Sequence, residues 1–170
     1  LVLWTDPRFG NSAWNIFARR VLSDGTVLDA DGPAPILQPP LTPPPTYPGF
    51  HLATGTNNQD HPAVAWNGAE YVTAWEDTRA NTFFLDQRTD IFGARVTSTA
   101  GVLDPGGFAV ANSPLPEIAP VVAGANGTTL FAAAIFRDQS PYTAYRIGIR
   151  AFFHQPVVGP ILSVAQTGLS

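Results

Sequence analysis

Apolar and polar residues alternate over short stretches of the chain, and no stretch of ten or more residues shows the 3.6-residue period of an amphipathic helix. The clearest unit lies in the middle of the chain, where residues 89–97 form a predicted strand whose odd- and even-numbered positions face opposite sides. Asn67-Gly68 follows an apolar stretch, and this dipeptide is a strong signal for a tight hairpin turn. We predict four short strands around it, at residues 63–66, 70–76, 89–97 and 108–111.

Two further units of the same kind flank this one. In the later unit we predict strands at residues 120–124, 129–136, 145–153 and 161–165. The earlier unit lacks its first strand, because Leu1 already lies in the segment that corresponds to the second strand. The pattern therefore predicts an all-β protein.

Short motifs recur between the first and second units at nearly constant spacing. The pattern W-x-D-x-R begins at Trp4 and again at Trp75. The pattern [ND]-I-F-x-x-R-V contains Arg20 and then Arg95, which are separated by only a few more residues than the two tryptophans. A turn ending in Leu-Asp follows in both units. Matching offsets of separate motifs indicate a true internal repeat.

The third copy keeps less of the pattern. Asn126-Gly127 and Arg150 match Asn67-Gly68 and Arg95, whereas the Trp and Asp of the second strand are lost. One segment of three units is predicted, with a proline-rich insertion between the first two. The boundaries are residues 1–37 for the first unit, 38–60 for the insertion, 61–113 for the second unit and 114–170 for the third.

The second copy resembles a blade of the bacterial secreted β-propeller repeat proteins. It reads N-G-A-E-Y-V-T-A-W-E-D-T-R from Asn67, then D-I-F-G-A-R-V from Asp90. The resemblance covers nearly all of the second copy, most of the first and about half of the third. It implies a β-propeller fold, an extracellular, periplasmic or cell-surface location, and a binding or scaffolding role without a shared catalytic site.

The number of units raises a question of closure, because propellers usually have four to eight blades. Three units leave sheet edges and an inner surface open. The alternatives are a longer protein, a ring of copies, or another subunit that completes the propeller. We expect another polypeptide or flanking blades to cover the open first unit.

Composition narrows the function classes. Charged residues make up 13% of the chain and hydrophobic residues 45%, a balance that argues against intrinsic disorder. The net charge is −4 and the nine basic residues are scattered, so no basic face for nucleic acid is expected. The absence of cysteine excludes disulfides, thiolate metal sites and cysteine nucleophiles. No apolar run approaches the roughly 20 residues that cross a bilayer.

Two sets of repeated residues have both a chemical and a structural interpretation. The residues of W-x-D-x-R lie on one face of a strand and could bind a sugar, or could form an inter-blade Trp with an Asp–Arg pair at the strand end. Arg20, Arg95 and Arg150 could clamp a carboxylate as in a sialidase, or lie between blades. The S-x-D-x-G-x-T-W box typical of sialidases is missing.

No catalytic, cofactor-binding or metal-binding residues are predicted. His51, His61 and His154 are too scattered for a metal site, and no G-x-S-x-G nucleophile elbow occurs. Acidic turns such as Asp29-Ala-Asp31-Gly32 lack the full calcium-loop spacing and fit ordinary turn chemistry.

Apolar residues at the open first strand and in two long loops are the candidate interaction residues. All four residues at the start of the chain are apolar, so both faces of that strand require burial. The candidates are Leu1, Val2, Leu3, Trp4, Tyr47, Phe50, Phe83, Phe84 and Leu85.

Together these features predict a non-enzymatic binding or structural module of a secreted or cell-surface bacterial assembly. It would act through contacts with proteins, with glycans as a second class of ligand. The alternative is a fragment of a sialidase-like, glycan-hydrolysing propeller enzyme.

Overall fold

The computed structural model describes residues 1–7, 13–29, 32–33, 46–47, 49–53, 57–81, 88–139, 142–153, 157–158 and 162–163. All regular secondary structure within these residues is β-strand, so the predicted all-β class is confirmed. The strands are β1 (Val2–Asp6), β2 (Asn15–Arg19), β3 (Gly32–Pro33), β4 (Thr46–Tyr47), β5 (Phe50–His51), β6 (Gln59–Trp66), β7 (Tyr71–Asp77), β8 (Asp90–Val96), β9 (Phe108–Ala111), β10 (Glu117–Ala125), β11 (Thr128–Gln139), β12 (Tyr142–Phe153), β13 (Val157–Val158) and β14 (Leu162–Ser163).

Three antiparallel sheets and one small ribbon contain these strands. Sheet I has the order β1-β2-β5, and sheet II has the order β6-β7-β8-β9. Sheet III has the order β10-β11-β12-β13, with β14 also paired to β12, and β3 pairs with β4 in the ribbon. Consecutive strands of sheet II pair as neighbours in an antiparallel meander, with a tight turn between β6 and β7 and longer connections, residues 78–89 and 97–107, between the others.

The hairpin tips of sheets II and III use their Asn-Gly dipeptides differently. Trp66 pairs with Tyr71, and the Asn67 N–H donates to the Glu70 carbonyl, so Gly68 and Ala69 form the turn itself. The predicted turn is thus displaced by one position. In sheet III, Asn126 and Gly127 are the two turn residues, and both have positive φ (49° and 77°). Asparagine and glycine are the residues that tolerate such angles in a two-residue hairpin.

Strand β5 shows where the first copy continues after the prolines. Its Phe50 pairs with Ala18 of β2, so sheet I gains its third strand from beyond the proline-rich stretch. Gly49-Phe50 precedes Gly107-Phe108 by the same number of residues as Gln59 precedes Glu117, so both pairs fit one repeat length. Strand β5 and the start of β6 therefore belong to the repeat, although both lie inside residues 38–60, the stretch predicted as an insertion.

Sheet II is covered on both faces. On one face its Trp75, Ala94 and Val96 pack with residues of sheet I. On the other face its apolar residues pack with Phe131 and Ala133 of sheet III. Each large side chain buried this way contributes about 1.5–3 kcal/mol to folding. No closed ring or barrel is seen among the described residues, so the propeller stays a prediction.

Candidate interaction surface

The W-x-D-x-R motif of the second copy is occupied by its own internal contacts. The Trp75 indole N–H donates to Asp77 Oδ2 at 2.9 Å, and Arg79 donates to both oxygens of the same carboxylate. Arg79 also donates to the Gly106 carbonyl and lies 4.0 Å from the centre of the Phe92 ring. Trp75 and Asp77 are fully buried. These contacts match the structural interpretation, because a buried indole cannot stack on a sugar.

The strand arginines of the first two copies are also paired within their own copy. Arg20 Nη2 lies 2.6 Å from Asp29 Oδ1, and Arg95 Nε lies 2.8 Å from Asp104 Oδ2. The hydrogen bond from the Arg20 side chain lowers the pKa of Asp29, against the effect of partial burial. Each aspartate also accepts the backbone N–H of its arginine. Both pairs close the ten-residue turn that follows the strand.

Arg150 does not take the same place in its sheet as Arg95. Arg150 pairs with Phe131, on the Trp75-equivalent face of its sheet, whereas Arg95 pairs with Val72, on the face of sheet II opposite Trp75. The Nε of Arg150 is buried without a hydrogen-bond partner. Burial lowers the pKa of Arg150, and the charge of Glu117 acts in the opposite direction. Two of the three arginines that could have formed a carboxylate clamp therefore already bind aspartate.

The open first strand has one covered face and one partly exposed face. Leu1 and Leu3 pack against the cluster that contains Trp75, whereas Val2 is 50% exposed. Trp4 stacks on Phe17 of the neighbouring strand, with ring centroids 6.0 Å apart. Among the described strands β1 pairs only with β2, so its other backbone edge is open to a further strand.

The two faces of each sheet can be distinguished by the repeat. We call the face that carries Trp75 in sheet II, and Trp4 in sheet I, the front face. The opposite face, which carries Leu1 and Leu3 in sheet I, is the back face. The back face of sheet I packs on the front face of sheet II, and the back face of sheet II packs on sheet III.

Two equivalent front-face positions differ sharply in exposure between the first two copies, although Phe17, on the front face of sheet I, is buried beside Trp4 and His51. Val96 of sheet II is fully buried, whereas Val21, the same repeat position in sheet I, is 41% exposed. Thr73 is fully buried, whereas its counterpart Val2 is half exposed. The difference arises because sheet I covers the front face of sheet II, and no described residues form a sheet over the front face of sheet I.

The back face of sheet III is a second uncovered apolar surface, which sequence reasoning missed. Phe131, Ala133 and Ile135 of β11 are buried on the front face, and the residues between them lie on the back. The register places Ala134 opposite Ile147, so β12 contributes to the same surface. Its exposed large side chains are Val121, Leu130, Tyr145 and Ile147.

A signal for this back face was present in the sequence. Residues 130–136 are all apolar, so either face of that strand requires a neighbour. The structure describes a sheet on only one of the two faces.

The remaining predicted residues are distributed as follows. Phe50 is partly buried against the Trp75 cluster, and it is therefore part of the fold between sheets I and II. Tyr47 lies in β4, with only its backbone described. Phe83, Phe84 and Leu85 lie outside the described residues.

Two of the three histidines are described. His51 stacks on Phe17 at 5.0 Å, and burial lowers its pKa to about 4. His61 lies in a bulge of β6 with φ of 49°, and its Nδ1 is 3.2 Å from Glu76 Oε2. His154 lies outside the described residues, and among those described no group of three or more metal-ligating side chains occurs.

None of the described segments forms a helix long and apolar enough to cross a membrane. Comparison of the chain with protein-family models, with curated proteins and with solved structures finds no match.

Proposed function

We propose that the chain is a run of β-propeller blades that serves as a non-enzymatic binding or scaffolding module. The observation that carries the proposal is the contrast between Val96, fully buried under sheet I, and Val21, 41% exposed at the same repeat position. A repeat position that is covered in one copy and uncovered in another marks a surface suited to a further sheet. An apolar surface of this kind is typical of a protein-binding site.

The internal pairing of the repeat residues supports a binding role over catalysis. Most glycan hydrolases require two carboxyl groups that face the substrate. A sialidase in addition uses arginines that bind the carboxylate of its substrate. Asp77 is fully buried and accepts hydrogen bonds from Trp75 and Arg79, and the side chains of Asp29 and Asp104 bind their own arginines. These groups stabilise strand ends and turns, so they are not free to act on a substrate.

The proposed setting is a secreted or cell-surface bacterial assembly, which rests on the resemblance of the second copy to secreted propeller blades. The proposed partners are polypeptides that cover the front face of sheet I and the edge of β1. Strand addition at that edge would satisfy its unpaired backbone groups.

Two measurements on the 170-residue chain test this proposal. We expect no hydrolysis of sialosides or aryl glycosides, and we expect a crystal structure in which the three sheets fan around a common axis. Hydrolysis that is lost on Arg150→Gln would overturn the non-enzymatic role. A crystal structure in which the sheets lie parallel without a common axis would overturn the propeller.

A further inference from the structure

We propose that the back face of sheet III binds the front face of sheet I from a second copy of this chain, head to tail. The proposal rests on the propeller-like stacking of the proposed function, and it names the partner and the two surfaces that meet.

The contact between sheets within the chain has a direction. The back face of sheet I, with Leu1 and Ile16, packs on the front face of sheet II, with Trp75. The back face of sheet II, with Val72 and Ile91, packs in turn on Phe131 of sheet III. The same kind of interface is therefore used twice, and each use joins a back face to a front face.

One face of each type is left without a neighbouring sheet among the described residues. The front face of sheet I exposes Val2 and Val21, and the back face of sheet III exposes Leu130 and Ile147, each between 41% and 50%. A second copy placed on sheet III by the relationship that joins sheet II to sheet III would bring its sheet I into contact there. The interface would continue one that the chain already contains.

The chemistry of the two surfaces is compatible with such a contact. The back-face positions of β11 are Leu130, Ala132, Ala134 and Phe136, and their partners in β12 include Tyr145 and Ile147. None of these side chains carries a charge. The charged residues nearest the contact are Asp138, two positions beyond Phe136 in β11, and Arg19 and Asp6, which share the front-face register of Val2 and Trp4. Trp75 takes part in the sheet I–sheet II contact, and Trp4 occupies the same repeat position on the front face that a second copy would bring to this surface.

A back-to-front contact is heterologous, because the two partners contribute different surfaces. The described residues of each chain offer one surface of each type, so association continues until a ring closes or a filament forms. This predicts a specific result for variants that block one surface at a time.

The experiment measures mass by size-exclusion chromatography with light scattering for the chain and two variants. Val21→Arg blocks the front face of sheet I, and Ile147→Arg blocks the back face of sheet III. Both positions are partly exposed, so both variants are expected to fold. The control Leu103→Arg changes an exposed leucine in the turn that follows β8 of sheet II.

The unaltered chain and the control are expected at the mass of two or more 18.1 kDa chains, and each blocking variant at the mass of one. An equimolar mixture of the two variants retains one intact pair of surfaces and is expected to form a dimer. The dimer would also show that both variants are folded. If either variant does not fold, Val2→Arg and Leu130→Arg replace the pair.

A monomeric unaltered chain would overturn the proposal, as would a blocking variant that stays oligomeric alone. The second result would indicate a symmetric contact or another surface. Neither result bears on hydrolysis, and a positive hydrolysis assay does not bear on assembly, so this proposal and the proposed function fail separately.

Discussion

At equivalent positions of the repeat the backbone adopts the same conformation even where the residue differs. Gly25 and Ala100 occupy the same position of the ten-residue turn, with φ of 87° and 69°. Each donates its N–H to the carbonyl three residues earlier, Leu22 in the first copy and Thr97 in the second. The turn therefore imposes a left-handed conformation that alanine adopts only at a cost.

Exchanging these two residues tests that cost. Ala100→Gly is expected to raise the free energy of unfolding by about 1 kcal/mol, and Gly25→Ala to lower it by a similar amount. A Cβ at position 25 would have no atom within 4 Å, so the backbone angle alone is tested. Urea unfolding of both variants measures the effect, and equal midpoints would show that the turn tolerates alanine freely.

The Arg95–Asp104 pair predicts a pH dependence. Burial acts to raise the pKa of Asp104, but the hydrogen bonds and charge of Arg95 outweigh it and hold the pKa below 3.8. The unfolded chain therefore binds a proton more readily than the folded chain. Stability from this pair is present above pH 3.8 and is lost as the pH falls through the lowered pKa.

Asp104→Asn is expected to lower stability at neutral pH and to flatten its decline in acid. Urea midpoints measured from neutral pH to below pH 3.8 for both proteins test this. Parallel curves for the two proteins would contradict the assignment.

Asp77 is the buried acceptor on which the W-x-D-x-R contacts depend. Asp77→Ala leaves the Trp75 indole N–H and the Arg79 guanidinium without their shared acceptor. The expected loss is about 3 kcal/mol, since removing one member of a buried pair leaves the other charge uncompensated. The exposed Asp24→Ala is the control, and a comparable loss there would mean that burial of Asp77 is not the cause.

At the scale of elements, sheets II and III approach most closely beside their hairpin tips. A Cβ on Gly124 would lie 2.7 Å from the Trp66 carbonyl oxygen and 2.9 Å from Asn67 Cα. The Gly127 N–H donates to the Asn67 carbonyl at 2.6 Å next to this contact. The small residue therefore permits two strands of different sheets to touch through their backbones.

Gly124→Ala is expected to destabilise the protein by about 1–3 kcal/mol, because backbone atoms on both sides leave no room for the methyl group. Gly106→Ala is the matched control, since a Cβ there meets nothing within 4 Å and the residue lacks a positive φ. Thermal unfolding of the two variants measures the difference. Equal midpoints would place the sheets farther apart than described.

Strand prediction succeeded where alternation and the repeat agreed, and failed where the backbone departs from regular pairing. Strands β7 and β8 begin and end within one residue of the prediction. Strand β6 begins at Gln59, ahead of the predicted start at Ala63, because a bulge with positive φ at His61 precedes Pro62 and interrupts the alternation. The back face of sheet III was missed although its strands were predicted, because residues 130–136 are all apolar and show no alternation that separates a buried face from an exposed one.

At the scale of the whole molecule, the position of a sheet in the stack decides how much a repeat residue contributes. Trp75 is fully buried between two sheets, whereas Trp4 occupies the same position on a front face that is partly open. The same residue type in the same local geometry is therefore expected to stabilise the two copies unequally. In repeat proteins, stability depends on nearest-neighbour interfaces in this way.

Trp75→Ala is expected to cost about 3–5 kcal/mol, which is typical for a buried tryptophan. Trp4→Ala is expected to cost less than half as much in the dissociated chain, because Phe17 is its main described ring contact. Denaturant titrations at low protein concentration measure both. Equal costs would mean that the front face of sheet I is already covered.

The directional contact between sheets also bears on how such a gene can change in length. An in-frame duplication of one repeat would insert a sheet whose back and front faces match the neighbours it meets. The inserted copy would bury two surfaces and leave the terminal ones unaltered, so the number of copies can drift without any new interface being selected. The sequence of a single copy can then diverge, as in the third copy here, while the contacts between neighbouring sheets are retained.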